Sequence, residues 1–138
     1  MLYLLDTNTC IHAIKRVPPS VVRRLTGILD ADPSLVAVSS ITLSELEYGV
    51  QKSVKATQNR LALTKFLTPL QLLSYDPRAA QMYGWIRAVL ERRGLVIGPL
   101  DLLIAAHARS LDATLVTNNV REFRRVPGLA VENWATPP

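Results

Sequence analysis

Short apolar runs alternate along this chain with stretches in which apolar residues recur every three or four positions. Residues 2 to 5 (LYLL) read as a strand, and Thr7 or Asn8 as the cap of a helix over about 8 to 16. Pro18-Pro19 interrupts, and Val21, Val22, Leu25, Ile28 and Leu29 place a second helix over about 20 to 30. Residues 35 to 38 (LVAV) form a second strand that ends on Ser39-Ser40, and ITLSELEYGVQK reads as helix again. There Thr42 and Glu45 are spaced as a capping box, with Ser40 an equally good cap. A helical stretch over 57 to 67, a third strand in QLLSY ending near Asp76-Pro77 and a long helix over about 78 to 93 follow. Gly94 stands where a C-cap glycine belongs. DLLIAAHARSL is apolar enough to be buried on most sides, and TLVT (114 to 117) and LAVE (129 to 132) bring the strands to four or five.

Nearly continuous apolar strands separated by helices imply a parallel sheet covered on both faces. The expected class is α/β, a three-layer α/β/α sandwich around a central parallel sheet of 4–5 strands. No repeat, low-complexity tract or linker divides the chain, so 1–138 is expected to be one domain, with ATPP at its end as a loose tail. A chain of 138 residues can bury roughly two-thirds of its unfolded surface.

Composition narrows the class. Hydrophobic residues at 49% and charged residues at 20% indicate a globular chain. Its apolar runs fall short of the ~18 residues a membrane span needs. No basic stretch precedes the apolar start and no small-residue cleavage site follows it, so a soluble cytoplasmic protein with no membrane partner is expected. Cys10, the single cysteine, is read as a packing residue and excludes an internal disulfide. The net charge is +5, and twelve of the sixteen bases are Arg, whose planar fork suits phosphate.

In a parallel sheet, ligand sites lie beyond the carboxyl ends of the strands. Asp6 follows strand one directly, Ser39-Ser40 strand two, Asp76 strand three and Asn118-Asn119 strand four. Glu45 lies one turn into the helix after strand two, and Asp101 opens its helix after Gly98-Pro99. Each acid has a local explanation: Asp6 as a cap, Glu45 in a capping box, Asp101 stabilised by the helix dipole. Those explanations leave unexplained why three acids gather at one end of one sheet. The nearby sequence offers neutral oxygens on Thr7, Asn8, Ser44 and Thr117 rather than bases. Carboxylates gathered without partners repel, and a divalent cation relieves the conflict. Oxygen ligands without Cys or paired His indicate Mg²⁺, with Mn²⁺ as a substitute, rather than zinc. His12 and His107, in separate helices, are read as structural. With Asp6, Glu45, Asp101 and Glu122 set aside, sixteen bases face seven acids, a balance of +9. An acidic metal pocket in a basic surface is what a metal-dependent nuclease needs, and these residues do not separate RNA from DNA. A haloacid-dehalogenase-type phosphatase needs a second Asp where Asn8 stands, and a receiver domain needs an acid pair after strand one.

LLDTN, SSITLSELEYG, IGPLDLLIAAHARSLDATLVTNN, REF and RVPGLAVENW together resemble PIN-domain ribonucleases of the VapC toxin type, in order and over essentially the whole chain. The resemblance implies a PIN fold and Mg²⁺-dependent endonucleolytic cleavage of RNA. It also implies a VapB-like antitoxin as inhibitor and a homodimer that joins it in a complex on operator DNA. It carries the metal-binding acids onto Asp6, Glu45 and Asp101. Glu45 is preferred to Glu47 because the family's glutamate precedes the Leu-x-Tyr-Gly element. Many relatives have Asp after the fourth strand, where Asn118-Asn119 stand here, and Glu122 of REF is expected to supply the missing charge. Thr7, Asn8, Ser44, Thr117 and Asn119 would shape the pocket. Lys15, Arg16, Arg121, Arg124 and Arg125 are the bases nearest it in sequence and are candidate RNA-backbone contacts. Leu43, Leu46, Val50, Leu61, Leu63 and Leu67 are read as core, with a groove for an antitoxin helix as the alternative. Relatives sharing the TNNxREF ending resemble toxins that cut initiator tRNA in its anticodon loop, which makes tRNA the expected substrate. The competing reading is a degenerate PIN module that binds RNA or a partner without cutting.

Overall fold

Five parallel strands in the order β3-β2-β1-β4-β5 run through the middle of the computed structural model, which describes residues 1–136. They are β1 (Tyr3–Leu5), β2 (Val36–Ser39), β3 (Gln71–Leu73), β4 (Thr114–Val116) and β5 (Ala130–Glu132). Seven helices connect them: α1 (Thr7–Lys15), α2 (Pro19–Ala31), α3 (Ser40–Gln51), α4 (Ala56–Leu67), α5 (Pro77–Arg93), α6 (Pro99–Ser110) and α7 (Val120–Phe123). In register, Leu4 faces Ala37 on one side and Leu115 on the other. All five carboxyl ends therefore open at one edge, as the alternation of strands and helices predicts.

The period-two alternation of side chains divides the core. Tyr3, Leu5, Val36, Val38 and Val116 pack with Cys10, Val21, Leu25, Leu46, Val50 and Leu63 from α1 to α4. Leu4, Ala37 and Leu115 face the other way, onto Ile86, Leu90, Leu102, Ile104 and Phe123. Leu4 has no exposed surface. Truncating it to Ala is expected to cost about 2–5 kcal/mol in lost transfer energy and cavity. No helix of the described residues is long and apolar enough to cross a membrane.

Several boundaries differ from the sequence reading, each for a local reason. The cap of α1 is Asp6, not Thr7 or Asn8: its backbone is extended and its carboxylate accepts from Thr9 N. The cap of α3 is Ser39, not Thr42 or Ser40. Thr42 is buried with its hydroxyl unpaired among the described residues, and the Ser40 hydroxyl accepts from Tyr75 N instead. The third strand stops at Leu73, two residues short of Tyr75. The LAVE run does form β5, Gly94 does end α5 with φ 66°, and a short α7 arises in VREF. Of the expected loose tail, Ala135 is held by Ser20 Oγ, which donates to its carbonyl (3.2 Å), while Pro137-Pro138 lie outside the described residues.

Candidate active site

Three loops and two helix starts converge above β1 and β4. Strand β1 ends on Leu5, and Asp6 turns the chain into α1. Its Oδ1 accepts from Thr9 N at 2.8 Å, so the capping explanation is correct and accounts for one oxygen. Asp6 is 4% exposed, and burial pushes its carboxyl above the ordinary range, offset by hydrogen bonds from the Thr117 hydroxyl and from Thr9. Thr117 lies one residue beyond β4 and is fully buried.

Glu45 reaches the same place from α3. The Thr7 hydroxyl donates to its Oε1 at 2.6 Å, a contact across 38 residues that removes Glu45 from any capping box. Glu47, two residues on, is committed elsewhere: Arg60 grips it with both nitrogens at 2.5 and 2.7 Å. The choice of Glu45 over Glu47 is thus matched by the direction in which each side chain points.

Asp101 is the third residue of α6, whose cap is Gly98 and which makes no side-chain cap bond. Half-buried, its carboxyl is pushed up to about 6 by burial first and then by the charges of Glu122, Asp6 and Glu45. Glu122, Asp6 and Glu45 thus all lie within electrostatic reach of Asp101. Glu122 is held by two neutral donors, Gly98 N (3.0 Å) and Asn119 Nδ2 (2.7 Å), which keep its carboxyl below the ordinary range. Asn119 therefore positions the fourth acid. That role is legible in hindsight from the Asn119-x-x-Glu122 spacing.

The other expected residues divide. Asn8 is exposed at the start of α1. The Ser44 hydroxyl turns back onto Ser40 O (3.2 Å) rather than into the site. Lys15 lies with Glu45 along a groove between α1, α3 and α4, whereas Arg16 terminates α1 at its far end. Arg121 and Arg124 are exposed on and beside α7. Arg125 donates to Val96 O and draws down the Glu122 carboxyl. The ion pairs among the described residues are Arg24–Glu132, Arg60–Glu47 and Arg87–Glu91, so none reaches Asp6, Glu45 or Asp101.

As placed, no three His, Cys, Asp or Glu side chains among the described residues are close enough together to grip an ion. The donor set nevertheless fits a hard divalent cation in kind. It is all oxygen, carries uncompensated negative charge and lies at the carboxyl edge of a parallel sheet.

The PIN domain model matches residues 3–129, and the chain belongs to the PIN-domain family. Within it, the chain is 48% identical to Ribonuclease VapC2 of Rickettsia felis over 134 residues, 97% of this chain and 98% of that protein. It is 44% identical to the tRNA(fMet)-specific endonuclease VapC of Salmonella typhimurium, across 96% of this chain and 97% of that one. Among solved structures it matches VapBC2 from Rickettsia felis bound to a DNA fragment from its promoter. That match has a TM-score of 0.90 at 46% identity and covers 97% of this chain and 99% of the other.

Proposed function

We propose that this chain, as a single PIN domain over 1–138, is a metal-dependent endoribonuclease and the toxin of a toxin–antitoxin pair. Its substrate is tRNA, with the anticodon loop of initiator tRNA first among candidates, and cleavage there halts translation in the cytoplasm. The observation that carries the reading is Asp101 standing within reach of the charges of Glu122, Asp6 and Glu45, with no ion pair to Asp6, Glu45 or Asp101 among the described residues, in a chain of net charge +5. The ribonuclease and tRNA(fMet) endonuclease names of the relatives support RNA as substrate.

Asp6, Asp101 and Glu45 would hold Mg²⁺ or Mn²⁺. Once bound, the ion supplies Lewis acidity toward the phosphate and makes water more acidic. Asp6 is fixed by Thr9 and Thr117 and serves as the rigid anchor. Asp101 would hold the ion beside Asp6 in its ionised form, and Glu45 would hold it or orient the attacking water. Glu122 stays ionised and orients the incoming group, and Arg121, Arg124 and Lys15 steer the RNA backbone towards the edge. The groove of about 290 Å³ that starts at Glu45 is lined by Ile11, Ile14, Leu46, Val50 and Leu63. It fits the apolar face of a VapB-like antitoxin helix and leads an inhibitory side chain directly to the acids. Exposed Trp85, Val96 and Leu100 give a second copy of the chain an apolar surface to meet. The homodimer would carry the antitoxin onto operator DNA, as suits the promoter-bound VapBC2 complex.

Purified protein incubated with total tRNA, with Mg²⁺ or with EDTA, tests the reading beside Asp6→Ala and Asp101→Asn. Discrete fragments from wild type with metal alone are the expected result. An identical pattern from wild type and both variants would overturn it in favour of a non-cutting PIN module.

A further inference from the structure

We propose that the pocket between α2 and the segment after β5 is a second RNA subsite, taking the phosphate and base edge of a nucleotide that flanks the scissile one. The inference rests on the ribonuclease reading above. The pocket, of about 340 Å³, is lined by Ser20, Arg23, Arg24, Glu132, Asn133 and Trp134.

Its position follows from the sheet. Glu132 ends β5 opposite Val116, and Thr117 N donates to Glu132 O at 2.9 Å. The Thr117 hydroxyl in turn bonds Asp6. Asn133 therefore opens from the same carboxyl edge as Asp6, two strand spacings along the sheet, or about 10 Å. From there the pocket runs down the face of the sheet, since Trp134 packs against Tyr3 at the start of β1. The proposed RNA path leads from the acids past the end of β5 to the pocket's Asn133 rim.

Its chemistry is divided between structure and recognition. Glu132 Oε1 accepts from both Arg24 Nη2 (3.2 Å) and Trp134 Nε1 (3.0 Å), and the Arg24 guanidinium lies 5.9 Å from the Trp134 ring centroid. Trp134 is 4% exposed and packs edge-on against Tyr3, so it is the floor of the pocket and not a stacking platform. Arg23 is exposed on the rim and makes no hydrogen bond or ion pair among the described residues, leaving its fork for a phosphate. Asn133 accepts from Ala135 N through its carbonyl oxygen (2.9 Å), and its Nδ2 donors make no hydrogen bond among the described residues, which leaves them for a base carbonyl or ring nitrogen. Sequence order hides this site, because Arg23 and Asn133 are 110 positions apart.

Steady-state cleavage of tRNA at several salt concentrations tests the subsite in the full chain. Arg23→Ala is expected to raise KM on the order of tenfold with kcat held, and to reduce the salt slope of RNA binding by about one ion. Arg23→Lys restores the slope. Asn133→Asp keeps the turn-forming oxygen while removing the donor, and raises KM as well. Lys55→Ala, of equal charge change in the turn between α3 and α4, leaves KM and slope at wild-type values. Unchanged KM and slope in Arg23→Ala, beside an active wild type, overturn the subsite and leave the ribonuclease reading standing. The same holds if Arg23→Ala weakens binding of duplex DNA only. A wild type that cuts no RNA overturns both, and the two failures are told apart by the wild-type lane.

Discussion

The carboxyl edge of the sheet has two halves built on the same local plan, a strand that ends on polar residues and turns into a helix. Above β2 and β3, the Ser39 hydroxyl oxygen accepts from Ile41 N (3.1 Å) and lies 2.7 Å from His107 Nδ1. Burial holds the His107 pKa below its ordinary value, which favours the neutral ring in this contact. Tyr75 packs edge-on to the ring at 5.6 Å, and Asp76 caps α5 through Ala79 N. The Ser39, Ser40 and Tyr75 hydroxyls there all have partners, and the buried partners are neutral. Above β1 and β4 the corresponding positions carry Asp6, Glu45 and Asp101, where the other acids push the Asp101 carboxyl up and no Lys or Arg among the described residues forms an ion pair with any of the three. Position at the edge is common to both halves. Charge balance separates a structural knot from a reactive site.

The largest test of that contrast is Asp101→Asn, expected to cut RNA cleavage by about 10³-fold, the scale of losing one preorganised electrostatic group. The same change is expected to stabilise the fold at neutral pH. The folded-state pKa of about 6 exceeds the ordinary 3.8, so the folded state binds the proton more tightly. Stability is therefore full below about pH 4 and declines as pH rises through 6. Thermal melts from pH 4 to 8 should show wild type losing ground to Asp101→Asn across that window.

His107→Ala should do the reverse. It is expected to cost about 2–4 kcal/mol, from a cavity and an orphaned Ser39 hydroxyl, while kcat at a permissive temperature stays within about twofold. The depressed pKa of His107 also gives the opposite pH dependence. Its stability is present above the ordinary 6.5 and lost as pH falls. Chemical denaturation at pH 5 and pH 8 separates the two halves by the sign of their slopes.

A smaller effect is expected from Thr7→Val, which removes the hydroxyl holding Glu45. Apparent Mg²⁺ affinity in cleavage assays should fall by about 10-fold, the lower end for losing a supporting hydrogen bond. Smallest of all is Glu47→Gln, which breaks an exposed pair with Arg60 on the same helix as Glu45. Cleavage should be unchanged and Tm almost so.

The apolar runs and the helix-ending Gly94 are the most legible in sequence. Gly94, the strand runs and the acids after them are set by local backbone and burial preferences, and the short apolar runs mark four strands and a candidate fifth, all of which form. Misplaced caps were errors of one to three positions among Asp, Ser and Thr, which are chemically interchangeable as caps until the backbone angle chooses one. What stayed hidden depends on contacts distant in sequence: Thr7 with Glu45 at 38 residues, Gly98 with Glu122 at 24, Ser39 with His107 at 68. His107 was correctly read as structural, but nothing in sequence names Ser39 as its partner. Similarly, Ser44 lies beside Glu45 in sequence yet turns onto its own helix, because a helical neighbour points about 100° away.

The central claim is that the acids above β1 and β4 are a cation site by virtue of their unbalanced charge. Thermal melts at pH 7.5 with and without Mg²⁺ or Mn²⁺ test it most directly, wild type beside Asp101→Asn. An ion that binds the folded chain and relieves the repulsion raises Tm in wild type and does so far less in the variant. A shift of equal size in both, or no shift in a wild type that cuts RNA in EDTA, contradicts the account.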